Sequence, residues 1–366
     1  MSNETMKWLN TNTLIGFTEK RGNAWHYRAD LQSAEPNHYP GPVPVEDVRR
    51  RLFNWEPEPW EIYTRKPGPM RLDIAELLAQ PSNDAMVSYA LDALGLRHQE
   101  NRQAITRSDN EHVMGIFTDG YQPHPYDEWL LTTVANILDD ELHIGSAGLL
   151  RGGAVAWVSV EMEDNVRLPE GVEFRPFLLA TTSFDGSLST TFGRKVTNVA
   201  CDNTHGIAMS ERGQQVKIRH SRHSRLRLTE ARQALGVIHE ITDDFADEVA
   251  RLCDTSVSDR EWSAFLDAHA PLPESEGRSR TMAERKREAL TRLYDHDQRV
   301  APWRGTAWGV LQAVNTYTHH EGIVRGVERA ERNMLNAVTG RTDDLDKETL
   351  NTLWKVQDKT TAVLAA

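Results

Sequence analysis

The residues best suited to chemistry form a run of positive charge. Between Arg212 and Leu228 the chain carries Arg212, Lys217, Arg219, Arg222, Arg225 and Arg227, with His220 and His223 among them and no acid. Lys217 and Arg219 alternate with Val216 and Ile218, so an extended backbone places both cations on one face. Arg222, Arg225 and Arg227 continue the patch, and Arg194 and Lys195 add two cations on the preceding apolar segment. A row of cations on a sheet edge can track a phosphodiester backbone, with Trp157 or the N-terminal aromatics as stacking platforms. The competing reading is a solvated strand balanced by acidic helices such as residues 242–251.

Other clusters offer less. His220 and His223 are spaced H-x-x-H, and His319, His320 and Glu321 are consecutive, but there is no HExxH and no cysteine pair. No metal and no cofactor is expected. Cys201 stands close in sequence to His205, yet a nucleophile needs a base close in space and a lowered pKa; a buried thiol at a strand end is the simpler reading. Asn203 and Thr204 read as turn or cap residues. Asp185 and Gly186 read as a hairpin turn, with the carboxylate bonded to its own loop. The phosphate loop, the dinucleotide fingerprint and the nucleophile elbow are all missing, so binding is expected rather than catalysis.

These residues need a frame. The chain has 366 residues, 39% hydrophobic and 26% charged, with a formal charge of −12 and two cysteines. That balance is globular, and two cysteines exclude a disulfide framework. The acidic total argues against nucleic acid on all faces but permits one basic face. No stretch approaches the ~18 apolar residues of a membrane span and no signal-peptide pattern follows Met1, so a soluble cytoplasmic protein is expected.

Residues 1–70 are rich in aromatics and prolines and read as an irregular arm, with a short helix at 45–53 and an extended segment at 57–63. Residues 71–228 form an α+β core. Its helical stretch at 70–96 is broken by Pro81, and a strand at 112–117 and an amphipathic helix at 126–139 follow. Short strands then fall at 148–162, 174–182, 188–201 and 215–219, joined by glycine-containing turns with no helix between them. That pattern predicts an antiparallel sheet over residues 144–221. Residues 229–366 read as helical, with helices at 229–255, 258–270, 281–296, 306–333 and 342–356. Ser258 and Glu261 make a capping-box pattern, and Trp308, Leu311, Val314 and Tyr317 make a core stripe. The fold class is α+β: a central antiparallel sheet, an aromatic and Pro-rich N-terminal arm, and a C-terminal helical region.

The same segments resemble the domain-of-unknown-function 932 family, a phage- and plasmid-like group. Ala24-Trp25-His26 is similar to its early Ala-Trp-His, and residues 115–121 to its strand and turn ending in tyrosine. Ser146-Ala147-Gly148, Arg151-Gly152-Gly153 and Trp157 resemble its AG…GG…W hairpin. Ser183-Phe184-Asp185-Gly186-Ser187 resembles S-H-D-G-S, Val199 to Thr204 resembles R-V-V-C-x-N-T, and Arg219-His220-Ser221 resembles the R-H-T/S strand end. Phe184 stands where histidine is usual, and Asn198 where arginine is usual. The resemblance implies a mobile-element origin and a place in the host cytoplasm, but no activity. The sheet-then-helix order is loosely similar to phage annealing proteins. The expected function is therefore single-stranded nucleic-acid binding or annealing in phage DNA metabolism, by a homo-oligomer without a membrane. The alternative is an interaction module that inhibits or decoys a host or phage factor.

Overall fold

The computed structural model describes residues 3–24, 27–69, 71–136, 138, 142–162, 164–198, 203–206, 216–220, 238–325 and 329–364. Its strands are β1 (Thr13–Ile15), β2 (Pro57–Arg65), β3 (Leu96–Arg107), β4 (Val113–Thr118), β5 (Leu142–Leu150), β6 (Val155–Met162), β7 (Val166–Arg167), β8 (Glu173–Ser183), β9 (Thr190–Asn198), β10 (Asn203–Gly206) and β11 (Val216–Ile218). The main sheet runs β1-β5-β6-β8-β9-β10, with β7 on β8 and β11 on β9, and every pairing is antiparallel. The expected α+β class with an antiparallel core is what the chain adopts. The outer edge of β9 is shared: β10 takes its second half from Lys195 to Asn198, and β11 takes its first half from Thr190 to Phe192. A smaller sheet has the order β2-β3-β4.

Alternation on β6 and β8 makes both faces of the main sheet apolar. Ala156, Val158, Val160, Phe174, Leu178 and Ala180 enter the principal core, and Val155, Trp157 and Leu179 enter a second cluster. The helices are α1 (Asn3–Asn12), α2 (Thr18–Arg21), α3 (Val45–Leu52), α4 (Ile74–Leu78), α5 (Asn83–Leu94) and α6 (Thr133–Ala135). After the sheet come α7 (Ile238–Asp254), α8 (Asp259–His269), α9 (Arg278–His296), α10 (Ala307–Thr316), α11 (Arg329–Thr339) and α12 (Arg341–Leu364). Phe245 of α7 bridges Phe174 of β8 and Trp308 of α10, with ring centroids 4.7 and 6.1 Å away. Leu9 of α1 and Leu335 of α11 belong to the second cluster.

The first seventy residues are built into this frame. β1 pairs with β5, β2 with β3, and Leu14, Val48, Leu52 and Trp55 are core residues. Ser258 caps α8 in the expected capping box. Three sequence expectations change. The helix expected at 306–333 stops at Thr316, passes through a π-turn at Tyr317–Glu321 and breaks at Gly322 before α11. The tail helix is longer than expected, reaching Leu364. Asn203 and Thr204, expected as turn or cap residues, begin β10 opposite Asn198 and Thr197; ladder pairing there overrides weak strand propensity.

Candidate functional site

The quoted motifs converge on one end of the main sheet. The β5–β6 turn runs through Arg151, Gly152 and Gly153, all with positive φ. At φ of 69° and 100°, Gly152 and Gly153 adopt a conformation that favours glycine, and a Cβ there would also press on the His112 and Arg107 side chains. Arg107 is buried, lies 4.1 Å over the Trp55 ring and donates to the Gly152 carbonyl. Tyr126 donates to the Gly153 carbonyl. The register then sets Val155 opposite Ser183, and the Phe184 amide donates to the Ala154 carbonyl at 2.7 Å. The Ser183–Ser187 turn therefore lies directly against the glycine turn.

Within it, Asp185 accepts from the Ser187 amide at 2.8 Å and from Arg151 Nη1 at 2.7 Å. Burial would raise this carboxyl, but hydrogen bonds from Ser187, Arg151 and Ser183 outweigh burial and hold it below its ordinary value. Gly186 has a φ of 77° and lies beneath Phe117. Phe184, which takes the place of a histidine, is fully buried and stacks on Tyr126 at 4.3 Å. Trp157 covers Gly148, where a Cβ would lie 2.1 Å from the indole. That burial removes Trp157 as a stacking platform for bases; Trp60 and Tyr63 remain exposed.

Beneath this turn runs a column of five rings. Phe117 stacks on Tyr121 (3.8 Å), Tyr121 on His220 (5.1 Å), His220 on His124 (4.0 Å) and His124 on Trp129 (3.5 Å). Hydrogen bonds thread it. Tyr121 Oη donates to the Ser183 carbonyl at 3.1 Å and meets His220 Nδ1 at 2.9 Å. His220 Nε2 meets Thr182 Oγ1 at 3.0 Å, Thr182 meets Thr190 at 2.9 Å, and Thr190 meets His124 Nδ1 at 2.6 Å.

The polarity follows from counting protons. The Tyr121 hydrogen is committed to Ser183, so His220 Nδ1–H donates to Tyr121 and Nε2 carries a lone pair. Thr182 then donates to Nε2, Thr190 to Thr182, and His124 Nδ1–H to Thr190. His124 Nε2 is left as a buried lone pair with no hydrogen-bond partner among the described residues. Burial keeps both rings neutral, pushing His220 down to about 4 and His124 to about 3. For His220 a contact with the Gln122 backbone works in the opposite direction, and for His124 the neighbouring His220 adds to the burial effect.

His220 is thus held on both ring nitrogens and both ring faces. Immediately before it, Arg219 is exposed, and no carboxylate pairs with it among the described residues. β11 carries Lys217 opposite Thr191; Arg194 lies opposite Leu178, and Lys195 opposite Phe177 and His205. For Arg194, Lys195, Asn203, Thr204 and Lys217 only the backbone is described, and Trp25, His26, Cys201, Arg222, Arg225 and Arg227 lie outside the described residues. Of the expected site, the fold brings together Asp185, Gly186, Arg219 and His220. Sequence reasoning missed His124, Thr182 and Thr190. His124 had one signal: it sits between Pro123 and Pro125, which fix a polar ring in a rigid segment.

Cys253 is a half-buried thiol that burial pushes up to about 12, unsuited to nucleophilic work. A recess lined by Arg292, His296, Asp297 and Arg299 has its arginines committed to Glu321 (2.6 Å) and Asp297 (2.7 Å). Among the described residues no three His, Cys, Asp or Glu side chains group to hold a metal, and no helix is long and apolar enough to cross a membrane. No curated protein and no solved structure matches the chain. The model of the family described as "Domain of unknown function (DUF932)" matches residues 113–339, from β4 to the end of α11. With more than half of its length matched, including the ring column, both motif turns and β11, the chain belongs to the DUF932 family.

Proposed function

We propose that the protein binds single-stranded nucleic acid along the β9–β11 edge, as a phage-type protein acting in the host cytoplasm and working as a homo-oligomer. The observation that carries this reading is Arg219: exposed, without a carboxylate partner among the described residues, and next in the chain to the clamped His220. A guanidinium presents a planar fork of donors that matches a phosphate, so an exposed arginine beside an anchored residue suits phosphate contact. Lys217 two residues earlier adds a second charge to the strand, and Phe117 is the partly exposed ring at the outer end of the column. Cations together with an accessible aromatic ring are what single-strand binding calls on.

The test is fluorescence anisotropy with a labelled single-stranded oligonucleotide, titrated from about 50 to 200 mM salt. Binding should weaken with salt, and K217E/R219E should lower the slope of log K against log salt by about 1.4, from ~0.7 per lost phosphate contact. Salt-insensitive binding, or a wild-type slope in the double variant, overturns the proposal. Mass photometry with and without the oligonucleotide tests the oligomer.

A further inference from the structure

The π-turn at Tyr317–Glu321, which ends α10, gathers cations that have no carboxylate partner among the described residues. Arg332 of α11 donates to the Thr318 carbonyl and, at 2.8 Å, to Asn333 Oδ1. Asn333 Nδ2 donates to the His319 carbonyl at 2.9 Å, and Arg329 Nη2 to the Glu321 carbonyl at 3.4 Å. These are carbonyls that a helix end leaves without helical donors, and π-turns recur at functional sites. Every acceptor is neutral. Arg329 and Arg332 are half-buried, and Arg329 Nη1 is a buried donor with no hydrogen-bond partner among the described residues. Lys286 of α9, also half-buried, stands over the Tyr317 ring, 6.0 Å from its centroid. Burial and Glu321 raise the Tyr317 pKa and the Arg329 charge works against them, so this tyrosine lies within reach of both Lys286 and Arg329.

The nearby acids are engaged elsewhere. Glu321, the one acid of the turn, is gripped by Arg292 at 2.6 and 2.7 Å, Asp267 pairs with Arg287, and Glu284 with Arg280. Glu328 lies outside the described residues, and Glu331 is described by its backbone alone. Burial, and after it the Arg329 charge, lower the Arg332 pKa, and no acid offsets them. Capping the helix end accounts for part of the arrangement. A helix C-terminus offers roughly −0.5 of a charge, so of the three positive charges at Arg329, Arg332 and Lys286 more than about two remain. A phosphomonoester carries about −1.5 to −2 and three acceptor oxygens, which matches that remainder. Guanidinium forks also fit its geometry.

We infer that Arg329, Arg332 and Lys286, gathered at the Tyr317–Glu321 turn, bind the phosphate group of a small phosphorylated ligand. Arg329 Nη1 is the buried donor that awaits an acceptor, Arg332 is already fixed by Thr318 and Asn333, and Lys286 adds a point charge. The inference stands apart from the nucleic-acid reading, since it uses none of the residues of the β9–β11 edge.

The full chain is titrated calorimetrically with inorganic phosphate, with ionic strength held constant by chloride. Wild type should bind phosphate saturably, and phosphate but not chloride should raise its melting temperature. R329Q/R332Q should weaken binding by about tenfold or more. K286Q, which breaks no hydrogen bond among the described residues, should weaken it by about threefold and keeps the test open if the double variant does not fold. K217E/R219E should bind phosphate as wild type does, and R329Q/R332Q should leave anisotropy with the labelled oligonucleotide unchanged. The inference fails if wild type binds no phosphate, or if R329Q/R332Q or K286Q binds it as wild type does. It also fails if R329Q/R332Q abolishes oligonucleotide binding, because these cations then hold the backbone of the strand.

Discussion

Acidification should unlock the ring column before it affects the carboxylates. His124 and His220 are neutral in the folded chain, with values near 3 and 4 against an ordinary value of 6.5. Below pH 6.5 the unfolded chain takes up a proton at each ring that the folded chain refuses. The unfolded state therefore binds more protons, and stability falls as pH falls through that window. Between about pH 7.5 and 4.5 each ring costs roughly 2.5 kcal/mol by linkage. The rings stand 4.0 Å apart and share part of the effect, so the pair is worth about 4 kcal/mol, a large share of a typical 5–15. The depressed carboxyls of Asp185, Asp47 and Asp297 lose their contribution only below their ordinary range, at lower pH.

The perturbation that isolates the column is H124F/H220F, which keeps the stacked rings and removes both titrations. His38 and His269 are also held near 4 and remain in the variant as an internal control. Urea unfolding at the two pH values should show the double variant starting less stable, because Thr190, Thr182 and Tyr121 lose partners. It should then lose about 4 kcal/mol less than wild type on acidification. An equal pH-dependent loss in both proteins, or ring resonances of His124 and His220 titrating near 6.5, would refute the neutral column.

Two further substitutions test the frame. Gly309 in α10 has no room for a side chain, since a Cβ would lie 2.1 Å from the Trp303 carbonyl oxygen. As backbone cannot give way cheaply, Gly309→Ala should cost about 2–3 kcal/mol in urea unfolding. Glu161 is buried, pairs with Arg21 Nη1 at 2.7 Å and faces Arg175 at 3.7 Å, holding the end of α2 against β6. Glu161→Ala should cost about 3 kcal/mol by leaving a charge under-compensated, with hydrogen exchange rising first in α2.

How much of this was legible in the sequence depended on whether the signal was local. The turns at Gly152-Gly153 and Asp185-Gly186, with alternation on the strands around them, were enough for the antiparallel core. β3 was not legible, because a strand solvated on both faces, such as LRHQEN at its start, carries no alternation. The break after Glu321 was hidden because Trp308, Leu311 and Val314 keep helical spacing up to the π-turn. The ring column could not be read at all. Its hydrogen-bonded residues, at 121, 124, 182, 183, 190 and 220, meet only because three strands and a loop end at the same level.

That meeting explains why the Ser183–Ser187 turn and the Arg219-His220 strand end belong to one device. Tyr121 is hydrogen-bonded to the Ser183 carbonyl and to His220, and Thr182 holds the other nitrogen of the same ring. The turn after β8 and the strand end after β11 are thus two halves of one clamp, joined through Tyr121. Phe184 fits this view. It is sealed between Tyr126 and Trp55, 4.3 and 6.1 Å away, in a box whose one hydroxyl already donates to Gly153. A ring there contributes apolar packing and leaves polar work to residues on either side. The clamp consumes the hydrogen-bonding capacity of His220 on both ring nitrogens, so this ring belongs to the frame of the sheet's end, and the exposed residue beside it is Arg219.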